Sequence, residues 1–122
     1  MIVLIDDDEI QNLINGKVIS IVNSSIEVKA FTSAEKALNA LINSELMPKL
    51  LFLDINMPKM NGWDFLDAYS TQEVQVPVYM LSSSINDKDI KRADGYQIVR
   101  SFISKPLVME RLHDILAENK MI

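Results

Sequence analysis

Residues 50–62 read LLFLDINMPKMNG: Leu50 to Leu53 are apolar without a break, Asp54 follows, and Pro58 and Gly62 punctuate what comes next. An apolar run of strand length that does not alternate belongs to a strand covered on both faces, the signature of a parallel sheet. A carboxylate at its end then sits where the strand leaves the core. Open α/β sheets bind their ligands beyond the carboxyl ends of the strands, so Asp54 is a candidate for function.

The flanking sequence repeats the pattern. Strands are predicted at Ile2–Ile5, Ile26–Phe31, Leu50–Leu53, Val78–Leu81 and Ser101–Ile103, separated by segments at helical spacing. The helical faces are Leu13, Ile14, Val18 and Ile21–Val22; then Leu38, Leu41 and Ile42; then Phe65, Leu66 and Tyr69; and finally Leu107, Leu112, Ile115 and Leu116. Thr32-Ser33-Ala34-Glu35 has the form of a capping box opening the second helix. The segment from Asn86 to Arg100 carries only a marginal helical signal. Alternating strands and helices imply right-handed crossovers and helices on both faces of the sheet. The expected fold is α/β, a doubly wound five-stranded parallel sheet in the order 2-1-3-4-5. In that order strands 1 and 3 are neighbours and the chain leaves them in opposite directions, which opens a crevice between their ends.

Bulk properties narrow the function. The 122 residues are expected to form one domain, residues 1–122, and they contain no cysteine, which excludes disulfides and thiolate chemistry. A formal net charge of -5 argues against direct nucleic-acid binding. No apolar run approaches the ~18 residues of a membrane span. The first residues, MIVLIDDDEI, lack the basic region of a signal peptide, so a cytoplasmic location and no membrane association are expected.

The inferred topology gathers several polar groups at one edge. Strand 1 ends in Asp6-Asp7-Asp8-Glu9, strand 3 in Asp54, strand 4 in Ser82-Ser83-Ser84 and strand 5 in Ser104-Lys105-Pro106. Clustered carboxylates repel one another unless a cation sits among them. Mg²⁺ (or Mn²⁺) suits such a set, since it takes one or two carboxylates together with water and phosphate oxygens. An aspartate in that setting can attack phosphorus, while a lysine and a hydroxyl stabilise the added oxygens. Each piece also has an ordinary reading: DDDE could cap helix 1, Asp54 could be a turn residue, the serines could be loop residues and Lys105 a surface lysine. Their convergence favours formation of an aspartyl phosphate.

VLIDDDE at strand 1, LLFLDINMPKMNGWDFL at strand 3, VYMLSSS at strand 4 and FISKPL at strand 5 closely resemble the receiver domain of bacterial two-component response regulators. The resemblance covers essentially the whole chain and includes single-domain regulators of the chemotaxis type. It implies Asp54 as phosphoacceptor, Asp7 as direct Mg²⁺ ligand, Asp6 holding metal-bound water, and a metal contact from the Asn56 backbone carbonyl. It further implies Ser82 as the switch hydroxyl, Lys105 as the phosphate-contacting lysine, Phe102 as the aromatic switch and a cis Lys105–Pro106 bond. The phosphoryl group would come from a sensor histidine kinase or phosphotransfer protein. A downstream protein would read the face formed by helix 4, strand 5 and helix 5.

Three departures from the family pattern stand out. Ser83 replaces the usual small apolar residue, Phe102 lacks a tyrosine hydroxyl, and the helix 4 region matches poorly. Unless the sequence is an excised piece of a larger protein, the chain has no output domain and is expected to signal by contact or to relay phosphate. The competing readings are a pseudo-receiver acting only as a binding module, an aspartate-nucleophile phosphohydrolase and a flavin carrier of the same topology. Asn56 stands where the hydrolase needs a second acid, and DDDE would repel a flavin phosphate. Asn56 and Ser84 are expected to influence phosphoryl lifetime. His113 is read as a helix-surface residue and Trp63 as a packing residue.

Overall fold

The computed structural model describes residues 1–83 and 85–122. Five strands and five helices alternate along the chain. They are β1 (Ile2–Ile5), α1 (Glu9–Val22), β2 (Val28–Phe31), α2 (Ala34–Ile42), β3 (Leu50–Asp54), α3 (Gly62–Tyr69), β4 (Val78–Ser82), α4 (Asp87–Asp94), β5 (Val99–Ser104) and α5 (Met109–Glu118). All strand pairs are parallel and the order is β2-β1-β3-β4-β5, as the periodicity of the sequence required.

The apolar runs are uninterrupted because the two faces of each strand bury into different cores. Ile2, Leu4, Leu50, Phe52, Tyr79 and Leu81 pack with Ile19 of α1 and Leu112, Ile115 and Leu116 of α5. Their neighbours Val3, Ile5, Leu51, Leu53, Val78 and Met80 pack on the other side with Ala37 and Leu38 of α2 and Phe65, Leu66 and Tyr69 of α3. Side chains of a strand alternate between faces, so both sets must be apolar. Each such burial is worth about 1.5–3 kcal/mol, more than any single cap or surface ion pair.

Local details differ from the sequence reading where polar backbone groups decide the outcome. The expected apolar face of α1 is only half right: Val18 and Val22 are partly buried, whereas Leu13 and Ile21 are 62% and 70% exposed, and Ile14 is also exposed. The residues turned inward are Asn12, Asn15 and Ile19. Asp8 caps this helix by accepting from the Ile10 and Gln11 N–H groups, which sets its phase. On α2, Leu38 is buried but Ile42 is exposed, and alanines 34, 37 and 40 supply the rest of the contact. The cap of α2 is Ser33, not Thr32, and it bonds to the Lys36 N–H, so no reciprocal box forms. A capping box does form at α3, between Asn61 and Asp64. β2 is shorter than expected and β5 longer.

Between Asn86 and Arg100 the weak signal resolves into α4, capped by Asn86 and burying only Ala93. Its outer end is tied to α3 instead. Tyr96 stacks on Trp63 at 6.1 Å between ring centroids, the Arg92 guanidinium lies 4.6 Å from the Trp63 ring, and the Tyr96 hydroxyl donates to Asp67. Trp63 is a packing residue, as read from the sequence, and His113 lies exposed on α5.

The entry to α3 sets how closely that helix approaches the end of β3. The Gly62 N–H donates to the Ile55 carbonyl at 2.8 Å. A Cβ on Gly62 would stand 2.5 Å from the Asp54 carbonyl oxygen and 2.9 Å from the Ile55 Cα. Backbone on both sides leaves no flexible neighbour to give way. Gly62→Ala is expected to cost about 1–3 kcal/mol, as overpacking does, read as a lower urea midpoint with an unchanged slope.

Candidate functional site

Three carboxylates meet at the C-terminal edge of the sheet because β1 and β3 are adjacent and end level. Ile5 pairs with Leu53, so Asp6 and Asp54, the next residue on each strand, emerge side by side. Both are buried, at 4% and 7% exposure, while Asp7 projects into solvent. Oxygens of Asp6, Asp7 and Asp54 lie within 4.8 Å of one another. Asp8 belongs to the helix cap rather than to this group. The DDDE run thus serves both purposes: two acids face the crevice and the third starts α1.

Lys105 enters from the end of β5. Its Nζ donates to Asp6 Oδ2 at 2.6 Å and lies 3.4 Å from Asp54 Oδ1. Burial by itself lowers the Lys105 pKa, but the hydrogen bond that it donates to Asp6 and the charges of Asp54 and Asp6 outweigh it and leave the ammonium above its ordinary value. Asp54 is also shifted up. Burial and then the Asp6 charge raise its pKa, and Lys105 with the Ile55 N–H offsets only part of this. Three carboxylates against one ammonium leave the crevice short of positive charge. A hard divalent cation would correct that, and an all-oxygen set of carboxylates is the donor type it prefers.

The remaining predicted residues lie around this centre. Ser82 is the last residue of β4, 1% exposed, and its carbonyl accepts from the Lys105 N–H at 2.8 Å. Asn56 is exposed in the loop after β3. Phe102 is half-buried on β5, paired with Met80 and preceding Lys105 by three positions. Ser83 is exposed, and Ser84 lies outside the described residues. The Lys105–Pro106 bond is cis. Gly62, read from the sequence only as punctuation after the strand, has a missing side chain that admits α3 against Asp54, and one supporting residue escaped the sequence reading: Asn12, which donates to the Asp6 carbonyl. The only signal for Asn12 was a polar residue interrupting an apolar helix.

A carboxyl that burial and a like charge hold above its usual pKa opposes folding once it is ionised. Replacing it by a neutral isostere removes that opposition at neutral pH, although it also forfeits the weaker contact to Lys105. Asp54→Asn is expected to raise the stability of the metal-free protein by about 1 kcal/mol at low salt, seen as a melting temperature a few degrees above wild type.

Comparison with known proteins agrees with this geometry. Residues 2–117 match the family model of the response regulator receiver domain. The transcriptional regulatory protein DcuR of Escherichia coli K12 is 27% identical over 115 residues, covering 94% of this chain and 48% of that protein. A protein-glutamate methylesterase/protein-glutamine glutaminase of Treponema pallidum is 25% identical, over 99% of this chain and 30% of that protein. The chain therefore spans half the length or less of these curated relatives. Among solved structures, a two-component response regulator from Cytophaga hutchinsonii superposes with a TM-score of 0.88 at 30% identity, over 98% of this chain and 95% of that one. One from Legionella pneumophila gives 0.88 at 26% identity, over 99% and 98%. With fold, crevice and family model in agreement, the chain belongs to the response regulator receiver domains, the phosphorelay modules of two-component signalling.

Proposed function

We propose that Asp54 accepts a phosphoryl group from the phosphohistidine of a sensor histidine kinase or phosphotransfer protein. The observation that carries this reading is the convergence of Asp54 with Asp6, Asp7 and Lys105 at one crevice. A carboxylate oxygen of Asp54 attacks phosphorus, and the P–N bond to the donor imidazole breaks. The electron pair stays on the imidazole nitrogen. Asp6, Asp7, Asp54 and the Asn56 carbonyl would hold Mg²⁺ (or Mn²⁺), which when bound neutralises charge on the carboxylates and phosphoryl oxygens. Lys105, already aimed between Asp6 and Asp54, pairs with a phosphoryl oxygen, and Ser82 donates its hydroxyl to another. The protein acts as a signalling domain that catalyses only its own phosphorylation and dephosphorylation.

The added group carries about -1.5 to -2 charges. Ser82 moving toward it vacates space beside β4 into which Phe102 turns. A pocket between α4 and β5, lined by Ile90, Ala93, Val99 and Phe102 among others, offers room for that repacking. The α4–β5–α5 face then changes shape for a downstream protein. Among the described residues no helix is long and apolar enough to cross a membrane. The asparagine at position 56 argues against a phosphohydrolase.

Two experiments test this. Intact-mass spectrometry after incubation with a small phosphodonor is expected to find one Mg²⁺-dependent phosphoryl group on wild type and none on Asp54→Ala. A folded wild type that takes up neither phosphate nor Mg²⁺ would make the domain a pseudo-receiver. For the switch, Tyr96→Phe deletes the hydroxyl that ties α4 to Asp67 while keeping the ring on Trp63. Amide exchange across Asp87–Asp94 should quicken several-fold with little change at β1, β3 and β4.

A further inference from the structure

Asn12 is buried on the sheet-facing side of α1, 7% exposed, where an apolar residue would be cheaper. Its Nδ2 donates to the Asp6 carbonyl at 2.9 Å and to the Phe31 carbonyl at 3.3 Å. The Phe31 carbonyl also accepts from the Asp6 N–H at 3.0 Å. One carboxamide therefore joins Asp6, the residue that follows β1, to Phe31, the last residue of β2. The Asp6 carboxylate is held on both oxygens, by the Asp8 N–H at 2.9 Å and by Lys105 at 2.6 Å.

This placement is not what stability alone selects. The Asn12 Oδ1 is buried without a partner, and an unsatisfied buried acceptor costs on its own account. Nor is every buried asparagine of α1 used in the same way. Asn15, one turn on and 2% exposed, also has an unpartnered Oδ1, and among the described residues it makes no hydrogen bond to the strand ends. Both line a narrow recess that also touches Asp6 and Asp54, so the two asparagines share an environment and differ in the bonds that reach Asp6.

We infer that Asn12 is a positioning residue for the phosphoacceptor site: by clamping the Asp6 backbone to the end of β2, it fixes where the Asp6 carboxylate stands relative to Asp54 and Lys105. The inference rests on the metal-binding reading of the crevice given above and assigns it a residue outside the acid cluster. Asn12 works through the main chain, whereas Lys105 and the Asp8 N–H work through the carboxylate. Loss of the clamp lets the turn from Asp6 to Asp8 relax, which spreads the ligand set without removing a ligand. Supporting groups around a metal site typically contribute about tenfold or more to affinity.

The test compares Asn12→Ala with Asn15→Ala, two truncations on adjacent turns of one helix. Mg²⁺ affinity is measured by calorimetry, and amide exchange at Asp6 and Asp8 is measured in the metal-free protein. Asn12→Ala is expected to weaken Mg²⁺ binding about tenfold and to speed exchange at Asp6 and Asp8. Asn15→Ala is expected to leave both near wild type, whatever it does to the melting temperature. Wild-type affinity and exchange in Asn12→Ala would overturn the inference, as would equal losses in the two variants, which would mean general softening of α1. Should Asn12→Ala not fold, Asn12→Leu fills the volume while still lacking the donor, and the same readouts apply. If wild type itself ignores Mg²⁺, the metal-binding reading fails, and exchange at Asp6 and Asp8 alone decides whether Asn12 clamps the turn.

Discussion

The ammonium of Lys105, set between Asp6 and Asp54, is the contact on which the functional end of the molecule depends. It joins the ends of β1, β3 and β5, and residues 99 positions apart in sequence meet in it. Two buried carboxylates on adjacent parallel strands would otherwise repel across a few ångströms with little water to screen them. The lysine makes their proximity tolerable, and the excess negative charge that remains defines what else the crevice accepts. Everything else at this edge holds the three groups in that relation. Gly62 lets α3 press against the Asp54 backbone, Asn12 anchors the Asp6 backbone, and the Ser82 carbonyl receives the Lys105 N–H.

Stability is distributed in the opposite sense. The two apolar cores on either face of the sheet are continuous, built from alternate residues of the same strands. At the C-terminal edge the chain instead buries Asp6, Asn12, Asn15, Asp54 and Ser82, and the orphaned oxygens of Asn12 and Asn15 lie on that side too. An apolar sheet with a polar rim of buried groups is the arrangement that binding and chemistry at a pre-formed site call for.

Helix α4 is held differently. α4 contributes a single buried alanine to the core, and the rest of its attachment runs through aromatic and charged contacts, from the buried Trp63 to the exposed Arg92 and from Tyr96 to Asp67. Such contacts are individually weak. An element secured in this way can be re-seated at modest cost, while the strands beneath it cannot. Trp63 follows directly on Gly62, so the tether of α4 begins one residue from the glycine that abuts the Asp54 carbonyl.

Sequence by itself determined the strands, their parallel pairing and the acidic edge. Runs such as Leu50–Leu53 and Val78–Leu81 are long enough and apolar enough to admit only a strand buried on both faces, and the helical segments between them leave only crossover connections. The polar residues that end those strands were therefore legible as one site. Only tertiary structure decided which face of α1 turns inward. Apolar periodicity pointed to Leu13 and Ile14, but carbonyls at the ends of β1 and β2 need a donor, and Asn12 supplies it. Tertiary structure also decided that Ser33 rather than Thr32 caps α2, that Gly62 is a contact surface for Asp54, and that α4 leans on Trp63. Each of these depends on where a distant backbone group or ring lies, and no local pattern encodes that.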